Sequence, residues 1–180
     1  IRKMNVPSSE DIGYLRDLHL NDLSLIFEWR NSPKVRKNMY SQHEITIKEH
    51  LKWWEKYQKS EDCKYLIYEN DSKPLGFVSF NSIDKIHKTA FWAFYSAPAA
   101  QKGTGTKMEV LALDYCFSTL GLNKLYCEVL EFNKAVLGLH KKFGFVEEGF
   151  LEQQYRIGSE TFSIYRLAIN SMRWLSRPLD

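Results

Sequence analysis

Cysteine is scarce in this chain. Cys63, Cys116 and Cys127 are scattered and odd in number, with no CxxC pair and no metal-ligand spacing. That excludes a disulfide framework and a thiolate metal centre, so no metal is expected, and it points to a reducing compartment. No apolar run reaches the roughly 20 residues of a membrane-spanning helix, and no signal-peptide pattern is visible. The expectation is a cytoplasmic protein with no membrane partner. Charge excess is also small: 25 Lys and Arg against 22 Asp and Glu leave a net +3. This is too mild for a nucleic-acid partner, though it suits an anionic small molecule. Repeats and low-complexity tracts are absent.

Aromatic residues are abundant, at 14% of 180 residues. They cluster at Met39-Tyr40, Trp53-Trp54-Tyr57, Tyr65–Tyr68 and Phe91–Tyr95. Such clusters pack a core, or line a ligand cleft when they sit beside polar residues. The length suits one domain with a proper core, expected over 14–170, with 1–13 and 171–180 as peripheral tails.

Apolar alternation predicts a strand over Tyr14–Leu18. Asn21 or Asp22 can cap a helix reaching Arg30. Asn31-Ser32-Pro33 stops it, and Ser32 with Pro33 opens a second helix to about Asn38. Thr46-Ile47-Lys48-Glu49 is a capping box for a helix to about Lys59. On that helix Ile47, Leu51 and Trp54 are spaced for the core, while His50, Trp53 and Tyr57 form an adjoining stripe. Strands follow at Lys64–Glu69, Leu75–Asn81 and Ala90–Tyr95, in the order of an antiparallel meander. A helix over Thr104–Thr119 buries Met108, Leu111, Ala112, Tyr115 and Cys116. A strand at Lys124–Leu130, a helix at Asn133–Phe143 closed by Gly144, and strands at Phe150–Arg156 and Thr161–Ile169 complete an α+β domain on one mixed sheet.

Gln101-Lys102-Gly103-Thr104-Gly105-Thr106 enters the Thr104 helix from a strand. Glycines let the backbone approach a ligand, and a helix start offers unpaired N–H groups and the positive end of the dipole to an anion. Lys102 adds charge, or is a solvated surface lysine.

Together with a second block, this loop resembles the GNAT acetyltransferases, the acetyl-CoA-dependent N-acetyltransferase superfamily. The loop is similar to the family's Q/R-x-x-G-x-G/A pattern, one residue short when counted from Gln101. The second block runs from Asn133 to Gly149. Asn133, Leu139, Lys142, Gly144, Phe145, Glu148 and Gly149 match the family's N-x-x-A-x-x-L-Y-x-K-x-G-F-x-x-E-G. The resemblance implies the GNAT fold, a mostly antiparallel sheet flanked by helices, and acetyl-CoA as donor. It implies a donor site of Phe94, Tyr95, Ser96, Gln101, Lys102, Gly103, Thr104, Gly105, Thr106 and Asn133, with Asn133 as helix cap, cofactor contact or both. The family's usual Tyr slot holds His140. That Tyr often protonates the CoA sulfur; histidine can do so when protonated, or only pack beside the thiol. Catalysis is expected from His140 and, through a held water, Ser79.

The N-terminal half is similar to the PseH-like amino-sugar N-acetyltransferases of pseudaminic acid synthesis. The likeness rests on Phe27-Glu28-Trp29-Arg30-Asn31-Ser32-Pro33, Met39-Tyr40 and Ile45–Leu51. It implies a UDP-amino-sugar acceptor acetylated at its 4-amino group, bound by Arg30, Met39, Tyr40, His50, Trp53, Asn81 and Tyr95. Arg30 suits a phosphate through its fork, or bonds the last carbonyls of its helix. Tyr40 and Trp53 could sandwich a base, or Trp53 could belong to the core. Other readings are a protein N-terminal acetyltransferase and a non-catalytic acyl-CoA sensor. A homodimer is possible. The residues name no general base.

Overall fold

The structure is a computed structural model, described over residues 12–177. Seven strands form one sheet in the order β1-β2-β3-β4-β5-β7-β6. They are β1 (Tyr14–Asp17), β2 (Lys64–Asn70), β3 (Lys73–Asp84), β4 (Thr89–Ser96), β5 (Lys124–Leu130), β6 (Val146–Ile157) and β7 (Glu160–Asn170). Every neighbouring pair is antiparallel except β4 and β5. The mostly antiparallel α+β sheet is thus the architecture expected of the GNAT fold.

Alternation along the strands gives the sheet two apolar faces. Val78 and Phe80 of β3, with Ala90 and Trp92 of β4, face the larger core. There they meet α4 (Thr104–Asp114), which continues into a π turn over Tyr115–Thr119, and α5 (Lys134–Lys142). Phe77 of β3 and Tyr65 and Ile67 of β2 face the other core, under α1 (Leu23–Asn31) and α3 (Ile47–Gln58). The short α2 (Pro33–Arg36) follows α1, and α6 (Ser171–Leu175) follows β7.

Four local expectations change. The buried stripe of α3 is the aromatic one. Ile47 and Leu51 are 56% and 46% exposed, while His50 is 2% exposed and Trp53, Trp54 and Tyr57 pack against the sheet. Flat rings stack on the flat face of Tyr65: Trp53 lies 5.1 Å away at 8°, and Tyr57 lies 4.2 Å away at 20°. Aliphatic side chains at positions 47 and 51 cannot match that geometry. Asp22 does not cap α1 with its side chain; it forms a fork with Arg16 at 2.8 Å on both nitrogens. Ser32 likewise gives its hydroxyl hydrogen to the Trp29 carbonyl at 2.8 Å. Finally, residues 171–177 are not peripheral. Trp174 of α6 is 1% exposed, sits in the larger core and donates its indole N–H to Asp114 at 2.7 Å. Of the tail expected over 1–13, Ile12 also packs against the larger core; residues 1–11 and 178–180 lie outside the described residues. No helix among the described residues is long and apolar enough to cross a membrane.

Candidate active site

The parallel pair supplies the opening. β4 and β5 are paired only from Thr89 to Phe91, against Lys124 to Tyr126. Beyond that, β4 stays with β3 and β5 stays with β7, so the two strands separate. The gap leaves backbone groups of Trp92–Ser96 without a strand partner on that side. It forms a cleft of about 500 Å³, lined by β4 from Phe91 to Ser96, β5 from Cys127 to Leu130, the α2 end, Met39, Tyr40, Asn133 and His140.

Several of the expected site residues meet here: Met39, Tyr40, Phe94, Tyr95, Ser96, Asn133 and His140 all line the cleft. Asn133 precedes α5 without capping it through its side chain. Gln101 to Thr106 lie outside the lining, at the start of α4. Gly103 holds φ +94° as the residue before that helix, a conformation that favours glycine. Nothing lies within 4 Å of where a Cβ would be at Gly103, so the loop's outer side is open. The first-turn amides of Gly105 and Thr106 have no partner within the helix. Gln101 and Lys102 are exposed. The Thr104 hydroxyl donates to the Gln101 carbonyl at 2.7 Å, so that hydrogen is not free for a ligand.

Besides that loop, five expected residues are not brought to the cleft lining: Ser79, Asn81, His50, Trp53 and Arg30. Ser79 is buried on β3, with its hydroxyl on the Ala93 carbonyl at 3.3 Å and the Asn81 amide donating to it at 3.2 Å. Asn81 in turn accepts from the Tyr65 hydroxyl at 3.0 Å. Strand alternation places both on the face opposite α5, so the expected role of Ser79, holding a water in the site, has no support from its position. His50 donates Nε2–H to the Leu23 carbonyl at 2.8 Å and is packed between Phe27 and Trp53. Burial lowers its pKa, so it is a neutral tie between α3 and α1. Trp53 has both faces covered, by His50 at 5.3 Å and Tyr65 at 5.1 Å, and cannot sandwich a base.

Arg30 lies on the α1 side of the sheet. One guanidinium nitrogen donates to the Ser41 carbonyl at 2.8 Å, while Nη1 is buried with no partner. Arg36 of α2 also carries a buried, unpartnered nitrogen, Nε. Burial pulls the Arg30 pKa down; Tyr95 and the Glu49 carboxylate oppose that and Arg36 adds to it, so the four groups are electrostatic neighbours. The Arg36 guanidinium also pairs with Glu44 at 3.5 Å. A buried guanidinium N–H left without an acceptor is costly and marks a place where an anion can complete the bonding.

Two residues went unforeseen. Glu128 of β5 is the single carboxylate lining the cleft among the described residues. It accepts from the Tyr40 hydroxyl at 2.7 Å and faces Arg166 at 3.9 Å. Burial first, then Glu128, raise the Tyr40 pKa and keep its proton in place. Glu109 of α4 is 0% exposed, and its Oε1 lies 2.8 Å from Nδ1 of His140, itself 2% exposed. Burial alone would lower the His140 pKa, but Cys127 and Glu109 raise it well above the ordinary histidine range. Burial raises Glu109, against the hydrogen bond from His140. Among the described residues no group of three or more His, Cys, Asp or Glu is placed to hold a metal ion.

The family model described as Acetyltransferase (GNAT) domain matches residues 14–146. The chain belongs to the GNAT acetyltransferase family. It is an N-acetyltransferase, and the family's donor is acetyl-CoA. The spermidine N(1)-acetyltransferase of Escherichia coli K12 is 26% identical over 172 residues, 95% of this chain and 92% of that protein. Acetyltransferase PseH of Campylobacter jejuni is 28% identical over 126 residues, 70% of this chain and 78% of that protein. The crystal structure of spermidine N-acetyltransferase from Vibrio cholerae in complex with CoA and spermine superposes with a TM-score of 0.85 at 27% identity. It covers 90% of this chain and 97% of that one. The narrower PseH-like resemblance therefore spans less of the chain than the likeness to the spermidine enzymes.

Proposed function

We propose that this GNAT enzyme acetylates the amino group of a sugar carried on a nucleoside diphosphate, with a UDP-4-amino-4,6-dideoxy-N-acetyl sugar as the specific acceptor. The observation that carries this reading is the pair of buried, unpartnered guanidinium nitrogens of Arg30 and Arg36 beside Tyr95. A diphosphate supplies acceptors for both. A polyamine would bring cations to the same place. Lys34 and Lys37 at the cleft mouth add positive charge of the same sense.

Each part of the donor site fits acetyl-CoA. The open Gly103 turn, the free Gly105 and Thr106 amides and Lys102 suit its pyrophosphate. The gap between β4 and β5 suits the pantetheine arm, and Asn133 faces it. Backbone N–H groups of β4 that lost their β5 partner can receive the developing oxyanion. Glu128 is placed to take the proton of the attacking amine, with Tyr40 fixing its orientation. In this reading His140, which lines the cleft, protonates the departing thiolate. Transfer is direct, so no enzyme nucleophile is needed.

The alternative acceptor is a polyamine such as spermidine. The near full-length similarity to spermidine acetyltransferases favours it, as does the Glu128 carboxylate in the cleft. Calorimetric titration with UDP separates the two. UDP binding that is lost in Arg30→Ala supports the nucleotide-sugar reading. Absent UDP binding with efficient spermidine acetylation replaces it.

A further inference from the structure

We infer that Glu109 is a positioning residue that keeps a proton on His140 Nε2, so that the Glu109–His140 pair takes over the task of the family's tyrosine. The inference rests on the proposed acid role of His140.

The geometry leaves one arrangement. Nδ1 of His140 is engaged by Glu109 Oε1 at 2.8 Å, so Nε2 is the nitrogen left for the Cys127 thiol and for the cleft, which both residues line. Both side chains are almost fully buried, and the second Glu109 oxygen has no partner. A lone negative charge is very unfavourable there. The pair is therefore held with one shared proton, as a coupled unit.

That proton has two resting places. It sits on Nδ1, facing a carboxylate, or on Glu109 Oε1, facing an unprotonated Nδ1. In both forms Nε2 carries a hydrogen, because the ring needs one there to be neutral or cationic with Nδ1 so engaged. Charge neutrality of a dry pair thus fixes the Nε2–H donor, wherever the shared proton lies. When Nε2–H is given to the CoA thiolate, the S–H bond forms and the Nε2–H bond breaks. The shared proton then remains on Nδ1, beside the Glu109 carboxylate, and the single negative charge left in the buried pair drives solvent to restore Nε2–H. The other groups facing the ring are Cys127 from β5, Trp92 and Phe94 from β4, and Phe145 after α5. Of these only Cys127 carries an ionisable group. Lys141 and Lys142 are exposed.

The test follows turnover against pH for the wild type, Glu109→Gln, His140→Ala and the double variant. Glutamine keeps the shape but removes the charge, so the alkaline limb of kcat should slide toward the ~6.5 of an unperturbed histidine, a loss of up to about 30-fold near pH 8, less by whatever Cys127 retains. KM for acetyl-CoA should change less than about twofold. In the His140→Ala background, Glu109→Gln should have no further effect. An equal loss at every pH, or the same loss in both backgrounds, overturns the inference and leaves the His140 role standing. Unchanged turnover in His140→Ala overturns both. Nitrogen NMR of the wild-type ring needs no variant: Nε2–H retained through pH 8 supports the pair, and its loss near ~6.5 overturns it.

Discussion

Replacing Arg30 by Ala removes one of the two guanidinium groups that keep a buried, unpartnered nitrogen among the described residues. In the free enzyme its Nη2 holds the Ser41 carbonyl at 2.8 Å, and Nη1 is buried and unpartnered. An anion there gains a charge-assisted bond, worth about 1.5–3 kcal/mol for a hydrogen bond to a charged group. That corresponds to roughly a 10- to 150-fold rise in KM for an anionic acceptor. The lost Ser41 contact costs the fold about 1 kcal/mol and no more. Arg30→Lys should recover only part of the affinity, since an ammonium cannot reproduce the planar fork. Steady-state thiol release, varying each substrate in turn, reads both constants. A rise confined to KM for acetyl-CoA would refute the reasoning, because it would put Arg30 on the donor side.

Other perturbations follow from the same geometry. Glu128→Gln should lower kcat with the acetyl-CoA KM unchanged, since no other carboxylate lines the cleft among the described residues; unchanged turnover by thiol release removes Glu128 as proton acceptor. Trp174→Ala should cost about 3–5 kcal/mol as a large core truncation, read as a Tm lower by roughly 6–20 °C for a chain of this size. A shift below about 2 °C would mean α6 is peripheral after all. His50 has a folded pKa below its unfolded value of ~6.5. The unfolded chain therefore binds more protons, and stability should be full above about pH 6.5 and fall as pH drops below it. Denaturant titrations should show this slope flatten in His50→Gln.

Much of the fold was legible because its signals are local. The Thr46–Glu49 capping box fixes the α3 start, and Glu49 N–H to Thr46 Oγ1 is present at 3.2 Å. The face α3 buries was not legible, because periodicity admits both stripes and the choice depends on the rings of Tyr65 and Phe77 from distant strands. The π turn at Tyr115–Thr119 left no mark in the pattern. The edge strand β6 starts at Val146, four residues before the expected Phe150, through a bulge between Glu147 and Gly149.

In the site, Met39, Tyr40, Tyr95, Asn133 and His140 converge on the cleft, whereas the Gln101–Thr106 loop, Arg30, His50, Trp53, Ser79 and Asn81 lie outside its lining. Ser79 and Asn81 bond each other and their own sheet. Glu109 was missed although a signal existed. It shares the spacing of Ala112, Leu113 and Cys116, all buried on one stripe of α4 and the turn after it. A carboxylate on a buried stripe demands a partner, and His140, in the tyrosine slot, was the residue lacking one. Neither feature alone identified the pair; it requires the packing of α4 beside α5.

The most direct measurement of the account is the ratio of kcat/KM for a UDP-4-amino-4,6-dideoxy-N-acetyl sugar to that for spermidine, with acetyl-CoA as donor and product mass confirming the acetylated amine. The account predicts a ratio above about 10, the equivalent of ~1.4 kcal/mol in favour of the anionic acceptor. A ratio below one, with spermidine turned over efficiently, would contradict it.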